Sequence, residues 1–338
     1  MALRIERFGC FGKLPVSREF LVDDPRRLSE SGFDRWVGEG LGLAKARFGP
    51  RADRLVAEFP AWRFLWNCGR SHKWLHGLMV AGEDGAGRRH PFTILAWCES
   101  LGPLTGATLL ALDDLTPIME RLLQTCREAG TPAGALEAVR REPAPPSPDE
   151  QVSEAALNRW LQSTRAEDFW GAVFGGTDAA RGRVVLSNLE ESTAPLRGRD
   201  PSGTRYGLAM PLPVAVANRA EGAGATTTPS VTTTPAAAFW LDMLNRELGR
   251  PLESGAIFWR AGSEGPAAEV LVFFSQPSGP QWAALIDPDV ELESLSVLKR
   301  TYPGFTREQL SPAMARRVTR PDARLSDYLD GKESFSHE

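Results

Sequence analysis

Three closely spaced apolar runs between Pro60 and Cys98 constrain the fold of this chain more than any other feature. They span Trp62–Asn67, Trp74–Ala81 and Pro91–Trp97, and turn-forming residues separate them. Short runs of aromatic, aliphatic and β-branched residues between turn signals predict strands rather than helices. Because the connections are short, we expect the three strands to be antiparallel. The third run does not alternate between polar and apolar residues, which indicates that both its faces are covered.

The turn before the third run carries a specific pattern. Asp84 to Gly87 offers residues that tolerate a left-handed backbone, and Arg88 and Arg89 follow directly. An arginine four residues after an aspartate can pair with its carboxylate across such a turn. We therefore expect Asp84 and Arg88 to bond within the turn, as a partly exposed pair whose direct contribution is about 1 kcal/mol or less.

The rest of the first half fits an α/β fold of the α+β kind, with helices packed on an antiparallel sheet. Strands are predicted at Arg4–Phe11 and Glu19–Val22, followed by an amphipathic helix over Ser31–Phe48. A second amphipathic helix is predicted between Asp113 or Asp114 and Gly130. This order of elements is similar to profilin-like and longin-like sandwiches, a likeness of topology that does not fix function.

A proline-rich segment over residues 142–151, EPAPPSPDEQ, marks the clearest boundary in the chain. A chain of 338 residues favours two domains, since single cores rarely grow beyond about 250 residues. We therefore predict an N-terminal domain over 1–141, the linker, a smaller C-terminal α/β domain over 152–310 and a charged, loosely attached tail over 311–338.

The second half shows weaker patterns. Helices are predicted at Glu154–Gln162, Ala166–Phe174 and Ala236–Leu248. Strands are predicted at Arg183–Ser187, Arg205–Pro211, Ala256–Arg260 and Glu269–Ser275. The threonine-rich segment 219–235 has low complexity and no periodic apolar face, and it is interpreted as a surface loop.

Composition narrows the class of function. The formal net charge is −4, so no overall field favours nucleic acid or an anionic membrane. The four cysteines show no paired spacing, which is typical of reduced thiols in the cytoplasm. The start of the sequence lacks the apolar core of a signal peptide, and no window is long enough to cross a bilayer. We expect a cytoplasmic protein that does not insert into membranes.

No arrangement of residues indicates an active site. Cys68, His72 and His76 recur at a spacing of four, which suits a metal on a helix. In a strand, however, residues four apart are ~13 Å from each other. Cys10 with His90 is conceivable as a nucleophile and its base, but no local signature accompanies it. We expect no catalytic residue, no metal and no cofactor, and a cysteine or metal-dependent hydrolase stays the weaker alternative.

Three stretches together resemble a known family. They read GCFGKLPVSREF from Gly9, PAWRF from Pro60 and AGEDGAGRRHPFT from Ala81. In this order they are similar to the TagF (ImpM) family of type VI secretion-associated proteins. Departures occur where the family has R-G-D, here Ser17-Arg18-Glu19, and P-S, here Ala81-Gly82. The residues that match the family motifs are Phe11, Gly12, Lys13, Leu14, Pro15, Phe20, Pro60, Trp62, Arg63, Phe64, Asp84, Gly87, Arg88, Pro91 and Thr93.

The resemblance implies a non-enzymatic, cytoplasmic regulator of a type VI secretion system. Members of the family act as post-translational repressors linked to a forkhead-associated scaffold protein. The alternative from topology is a longin-like adaptor for a small GTPase. The motif residues serve either the fold or binding. Because aromatic and arginine side chains dominate interfaces, Arg70, Trp74 and Trp282 are the predicted partner-binding residues.

Overall fold

The three apolar runs lie within a nine-stranded sheet in the computed structural model of the chain. The structure describes residues 3–69, 73–99, 102–175, 179–213, 230–260, 268–300, 311–312, 314–315 and 323–329. The three predicted central strands are confirmed as β3, β4 and β5, and each pairs antiparallel with the next.

The sheet is antiparallel except at one edge. Its spatial order is β2-β1-β5-β4-β3-β7-β8-β6-β9, and only β6 and β9 pair in parallel. The strands are β1 (Arg4–Gly12), β2 (Leu21–Val22), β3 (Trp62–Asn67), β4 (Lys73–Val80), β5 (Phe92–Glu99), β6 (Gly207–Pro211), β7 (Ala256–Arg260), β8 (Glu269–Phe273) and β9 (Leu295–Val297). The predicted fold class, an antiparallel sheet with packed helices, is confirmed, and the likeness to profilin or longin folds stays a prediction.

Helices cover both faces of this sheet. They are α1 (Pro25–Ser31), α2 (Phe33–Phe48), α3 (Arg51–Ala57), α4 (Gly106–Asp113), α5 (Thr116–Glu128), α6 (Pro132–Arg141), α7 (Glu150–Ser163), α8 (Ala166–Phe174), α9 (Ala179–Thr193), α10 (Ser230–Leu248), α11 (Ala283–Ile286) and α12 (Leu325–Leu329). Short 3₁₀ turns lie at Ala194–Leu196, Pro201–Gly203 and Gly279–Trp282. No helix in the described part of the chain is long and apolar enough to cross a membrane.

The two halves of the chain share this sheet. β3 and β7 pair antiparallel at its centre, with Phe64 opposite Phe258. Residues 143–149 of the proline-rich segment form neither helix nor strand, and α7 begins directly after them. Both faces of the sheet bury side chains from both halves, with Leu65 and Trp259 on one face and Phe64 and Phe258 on the other. The predicted domain boundaries stay a prediction, and the structure adds that the parts on either side of the linker are joined by main-chain pairing.

Three predictions in the second half are corrected by the structure. Residues Arg183–Ser187 lie within α9 and not in a strand, and Val185 and Leu186 point into the core. Of the predicted loop 219–235, residues 219–229 lie outside the described residues, whereas residues 230–235 form the start of α10. Within the predicted tail 311–338, α12 is packed on the core because Leu325 and Tyr328 are buried.

Candidate binding site

The first and third family-like stretches meet where β1 ends. Gly12, the last residue of β1, has φ +131°. A Cβ atom there would lie 2.1 Å from the carbonyl oxygen of Pro91, so the backbone of the third stretch leaves room for glycine alone. Phe11 pairs with Thr93 across β1 and β5. The match of both stretches to one family therefore corresponds to a direct packing contact.

Asp84 is the centre of this meeting point. Its buried carboxylate accepts hydrogen bonds from Lys13 Nζ at 2.8 Å and from Arg88 Nε at 2.7 Å. The backbone N–H groups of Ala86 and Arg88 donate to its other oxygen, each at 2.9 Å. Burial by itself raises the pKa of Asp84, but these hydrogen bonds outweigh it and hold the pKa below its ordinary value. The predicted bond within the turn is confirmed, and the pair is partly exposed as expected, because the carboxylate is buried and the Arg88 side chain is exposed.

The same turn also fixes the loop that follows β1. Gly85 N–H donates to the Ser17 carbonyl at 2.8 Å, and the Arg88 guanidinium donates to the Arg18 carbonyl. Ser17 N–H in turn donates to the Leu14 carbonyl at 3.1 Å. We call Lys13, Asp84, Arg88 and the loop 14–18 the motif junction. The R-G-D departures thus lie in a loop that is held through its main-chain carbonyls.

The second family-like stretch is not part of the motif junction. It forms β3, two strands away from β5 in the sheet. Trp62 and Phe64 are fully buried, and Trp62 Nε1 donates to the Leu285 carbonyl at 3.0 Å. Arg63 points to the opposite face, where its guanidinium lies 3.6 Å from the Asp113 carboxylate. This stretch therefore serves the core.

A groove opens beside the motif junction, between the loop after β1 and helix α2. It has a volume of about 490 Å³. We call it the motif groove, and its lining residues are Phe11, Lys13, Phe20, Asp34, Arg35, Gly38, Leu41, Gly42, Lys45, Arg89 and His90. Five of these come from the first and third family-like stretches and six from α2. The motif junction therefore positions one whole wall of an open surface.

The wall of the motif groove that the first and third family-like stretches form is aromatic. The rings of Phe11 and Phe20 are stacked with centroids 5.7 Å apart, and His90 meets Phe20 edge-on at 4.7 Å. Lys13 Nζ lies 5.0 Å from the centroid of the Phe20 ring. Burial lowers the pKa of His90 to about 4, so its ring is neutral at neutral pH. Phe20 is nevertheless 45% exposed, which leaves a large apolar ring held in place at the surface.

The opposite wall, on α2, exposes no large apolar side chain, since its leucine, Leu41, is buried. Arg35, Gly38, Gly42 and Lys45 recur at spacings of three and four, so they share one helix face. A Cβ atom at Gly38 or Gly42 would meet nothing within 4 Å. Within the part of the chain that the structure describes, Arg35 and Lys45 form no ion pair. Neither the glycines nor the two cations are explained by packing.

Two of the three predicted partner-binding residues are placed in the core, and those predictions are wrong. Trp74 is 2% exposed because the alternation of β4 directs it to the face of the sheet that α4 and α5 cover. Trp282 is 0% exposed and stacks on Phe59, with its side chain against the backbone of Gly40. Arg70 lies outside the described residues. Among the residues that the structure describes, the exposed aromatic side chain is Phe20, which the sequence analysis named only as a motif residue.

The residues considered for catalysis are also buried. Burial raises the pKa of the Cys10 thiol to about 12, which disfavours the thiolate that a nucleophile needs. His76 lies within the sheet, with Nδ1 2.9 Å from the Phe64 carbonyl, and burial lowers its pKa to about 4. His72 lies outside the described residues. Among the residues described, no group of three or more histidine, cysteine, aspartate or glutamate side chains could hold a metal ion.

Comparison with known proteins gives one family match. Residues 9–141 match the family described as the TagF N-terminal domain, type VI secretion system-associated. No curated protein matches the chain significantly. The solved structure of PA0076 from Pseudomonas aeruginosa PAO1 is similar over 88% of this chain and 100% of that chain, with 16% identity and a TM-score of 0.46. The sequence-based assignment to the TagF family is confirmed over residues 9–141 by the family match.

Proposed function

With residues 9–141 placed in the type VI secretion-associated TagF family, we propose that the chain regulates a type VI secretion system by binding a partner protein without catalysis. The partner is a forkhead-associated scaffold protein, and binding it represses secretion after translation. The chain acts in the cytoplasm.

One observation carries this proposal. The motif junction, which the first and third stretches form, holds Phe20 at the rim of the motif groove. The polar groups of the junction bond to one another, so the junction itself needs no partner. A rigid, exposed aromatic next to arginine and lysine side chains is the arrangement that dominates binding energy at protein interfaces. The buried cysteines and histidines support binding over chemistry, since a nucleophile or base must reach its substrate.

The test separates stoichiometric occupancy from turnover. The chain is expressed at graded levels against a fixed amount of the scaffold, and type VI secretion is measured at each level. We expect inhibition that rises with the amount of the chain and saturates near equal amounts of the two proteins. Full inhibition by a trace of the chain, far below the scaffold's level, would contradict the proposal and indicate an enzyme.

A matched control is needed because overexpression alone can disturb secretion. A Phe20→Ala variant at the same expression levels removes the exposed ring and leaves the motif junction in place. We expect this variant to inhibit less at every level. Equal inhibition by both forms would show that the effect does not pass through the motif groove.

A further inference from the structure

We propose that the motif groove binds an acidic, extended segment of a partner protein, with an apolar side chain on Phe20 and its main chain over Gly38 and Gly42. This rests on the proposed function in one respect, namely that the partner is a protein. It goes further by assigning the site and the chemistry of the segment that the site recognises.

The charge of the groove selects an acidic partner. Arg35 and Lys45 lie on the exposed face of α2 and have no carboxylate partner among the described residues. On the opposite wall, the carboxylate that Arg89 meets among the described residues is Glu83, at 3.4 Å from Nε, and Arg89 Nη1 also donates to the Asp53 carbonyl at 2.6 Å. The single carboxylate in the lining is Asp34. Lys13 also lines the groove, but its charge is paired with Asp84. The three other cations and one anion of the lining leave a net positive groove on a chain of net charge −4.

The same count of charged side chains disfavours a nucleic acid as the partner. Proteins that bind a phosphate backbone neutralise several phosphates with separate lysine or arginine side chains. The motif groove offers two unpaired cations and includes a carboxylate, and the chain as a whole is acidic. A short segment with a few carboxylates and one apolar anchor matches the site better.

The glycines of α2 indicate how closely that segment approaches. Gly40, on the buried side, is required because a Cβ atom would lie 2.4 Å from Trp282. Gly38 and Gly42 face the groove, and a Cβ atom at either would meet nothing within 4 Å. Glycine weakens a helix interior relative to alanine, so the fold alone favours alanine at both positions. What glycine gives here is a helix surface on which another backbone can lie.

Three labelled peptides test the recognition directly. The first is a fluorescein-labelled decapeptide of glutamate and aspartate around one phenylalanine and one leucine. The second replaces its acids with lysine, and the third replaces its two apolar residues with serine. Anisotropy with the full chain should show binding of the first peptide only, weakened at least tenfold when salt rises from 50 to 300 mM. No binding of the first peptide, or equal binding of the lysine peptide, overturns the proposal.

Charge-reversed variants locate the binding on the chain. The double variant Arg35→Glu, Lys45→Glu should lose at least tenfold in affinity for the first peptide. The matched control, Arg159→Glu with Arg183→Glu, makes the same change of charge at exposed positions of α7 and α9. We expect the control to change affinity less than twofold. An equal loss in both double variants would show that overall charge, and not this groove, attracts the peptide.

Bulk on the glycine face gives an independent readout. Gly38→Gln with Gly42→Gln should raise the melting temperature, since both positions are open, and should weaken peptide binding at least fivefold. Gly130→Gln, at another open position, is the control for added bulk. Unchanged affinity in the double glutamine variant contradicts an approach over α2.

The scaffold itself separates this proposal from the proposed function. If the acidic peptide binds in the groove and the forkhead-associated scaffold does not bind the chain, the groove assignment holds and the scaffold assignment fails. If the scaffold binds and the groove variants leave its affinity unchanged, the groove assignment fails and the proposed function stands.

Discussion

The motif junction and the motif groove are neighbours that both contain residues of the first and third family-like stretches, yet their physical character is opposite. In the junction, the Asp84 carboxylate is buried and accepts four hydrogen bonds from Lys13, Arg88 and the turn backbone. In the groove, Arg35 and Lys45 have no ion-pair partner within the described residues, and Phe20 is exposed.

The glycines divide in the same way. Gly12, directly before the junction, has a positive φ and no room for a side chain, whereas Gly38 and Gly42 in the groove have open space around them. Buried polar groups that bond to one another, and glycines where no Cβ atom would fit, are typical of residues that maintain the fold. Exposed charges without an ion pair, beside glycines with open space, are typical of a surface that binds a partner. The comparison therefore predicts that junction changes reduce stability, and that groove changes reduce binding alone.

The largest effect is expected from Gly12→Ala. The new methyl group would lie 2.1 Å from the Pro91 carbonyl oxygen on a backbone with φ +131°, so β1 and the start of β5 must move apart. We expect a loss of at least about 4 kcal/mol of unfolding free energy, or no folded protein. Chemical denaturation measures it, with Gly38→Ala as the control. A Gly12→Ala protein as stable as the wild type would contradict the predicted difference between the motif junction and the motif groove.

Asp84→Ala comes next. It leaves Lys13 buried without its partner and frees two backbone N–H groups of the turn. We expect the melting temperature to fall by roughly 5–10 °C. Asp84→Asn keeps an oxygen acceptor for the backbone and should fall less. An unchanged melting temperature for Asp84→Ala together with lost scaffold binding would place Asp84 in the binding surface and contradict the structural role of the junction.

His90 borders both regions and makes stability depend on pH. Burial, together with the nearby positive charge of Lys13, lowers the pKa of His90 to about 4, whereas its ordinary value is 6.5. The folded state therefore favours the neutral ring. This stabilisation is fully present above pH 6.5 and is lost as pH falls from 6.5 to about 4.

The change at His90 amounts to at most about 3 kcal/mol. His90→Gln cannot bind the proton, so the wild type should lose stability relative to this variant over that pH range. Denaturation at pH 7 and at pH 4 gives the two differences. A difference between wild type and variant that is the same at both pH values would show that the ring is solvated.

The smallest effect on stability is expected from Gly38→Ala combined with Gly42→Ala. Alanine forms helices better than glycine, and neither methyl group meets another atom within 4 Å. The double variant should gain about 1–2 kcal/mol of unfolding free energy. Thermal melting of the double variant beside the wild type measures the change. A loss of stability would show that this face of α2 is packed against other residues. It would also remove the distinction between Gly12 and the two glycines of the groove.

Local patterns were sufficient to predict several elements. The strand β3, the strand β7 and the helix α8 have the bounds predicted from short apolar runs between turn residues. The bond between Asp84 and Arg88 followed from a spacing of four within one turn. In each case the interacting residues are neighbours in sequence, so a short window contains the whole signal.

The features that could not be predicted depend on residues that are far apart in the sequence. The contact of Lys13 with Asp84 joins two loops far apart in the chain, and the pairing of β3 with β7 crosses the linker. The exposure of Phe20 depends on where α2 packs, which no local pattern reveals. Its only signal was its place in a family motif.

Other errors arose from ambiguous local signals. The run Val184-Val185-Leu186 favours a strand by propensity, but it lies within α9, where Val185 and Leu186 are buried. Helix α6 was missed because Gly130 was interpreted as the end of the second helix and no helix start was predicted after it. Proline in fact suits the first turn of a helix, and the Thr131 side chain caps α6 by accepting from Gly134 N–H.

The most direct test of the account is the affinity of the forkhead-associated scaffold for two variants with matched side-chain exposure. Phe20 is 45% exposed at the groove, and Leu43 is 46% exposed elsewhere on α2. Calorimetric titration should give one scaffold per chain for the wild type. Phe20→Ala should weaken binding at least tenfold with little change in melting temperature, and Leu43→Ala should leave binding unchanged. Equal affinities for Phe20→Ala and the wild type would contradict the claim that the motif residues build the surface that binds the scaffold, and no binding of the scaffold at all would contradict the proposed function.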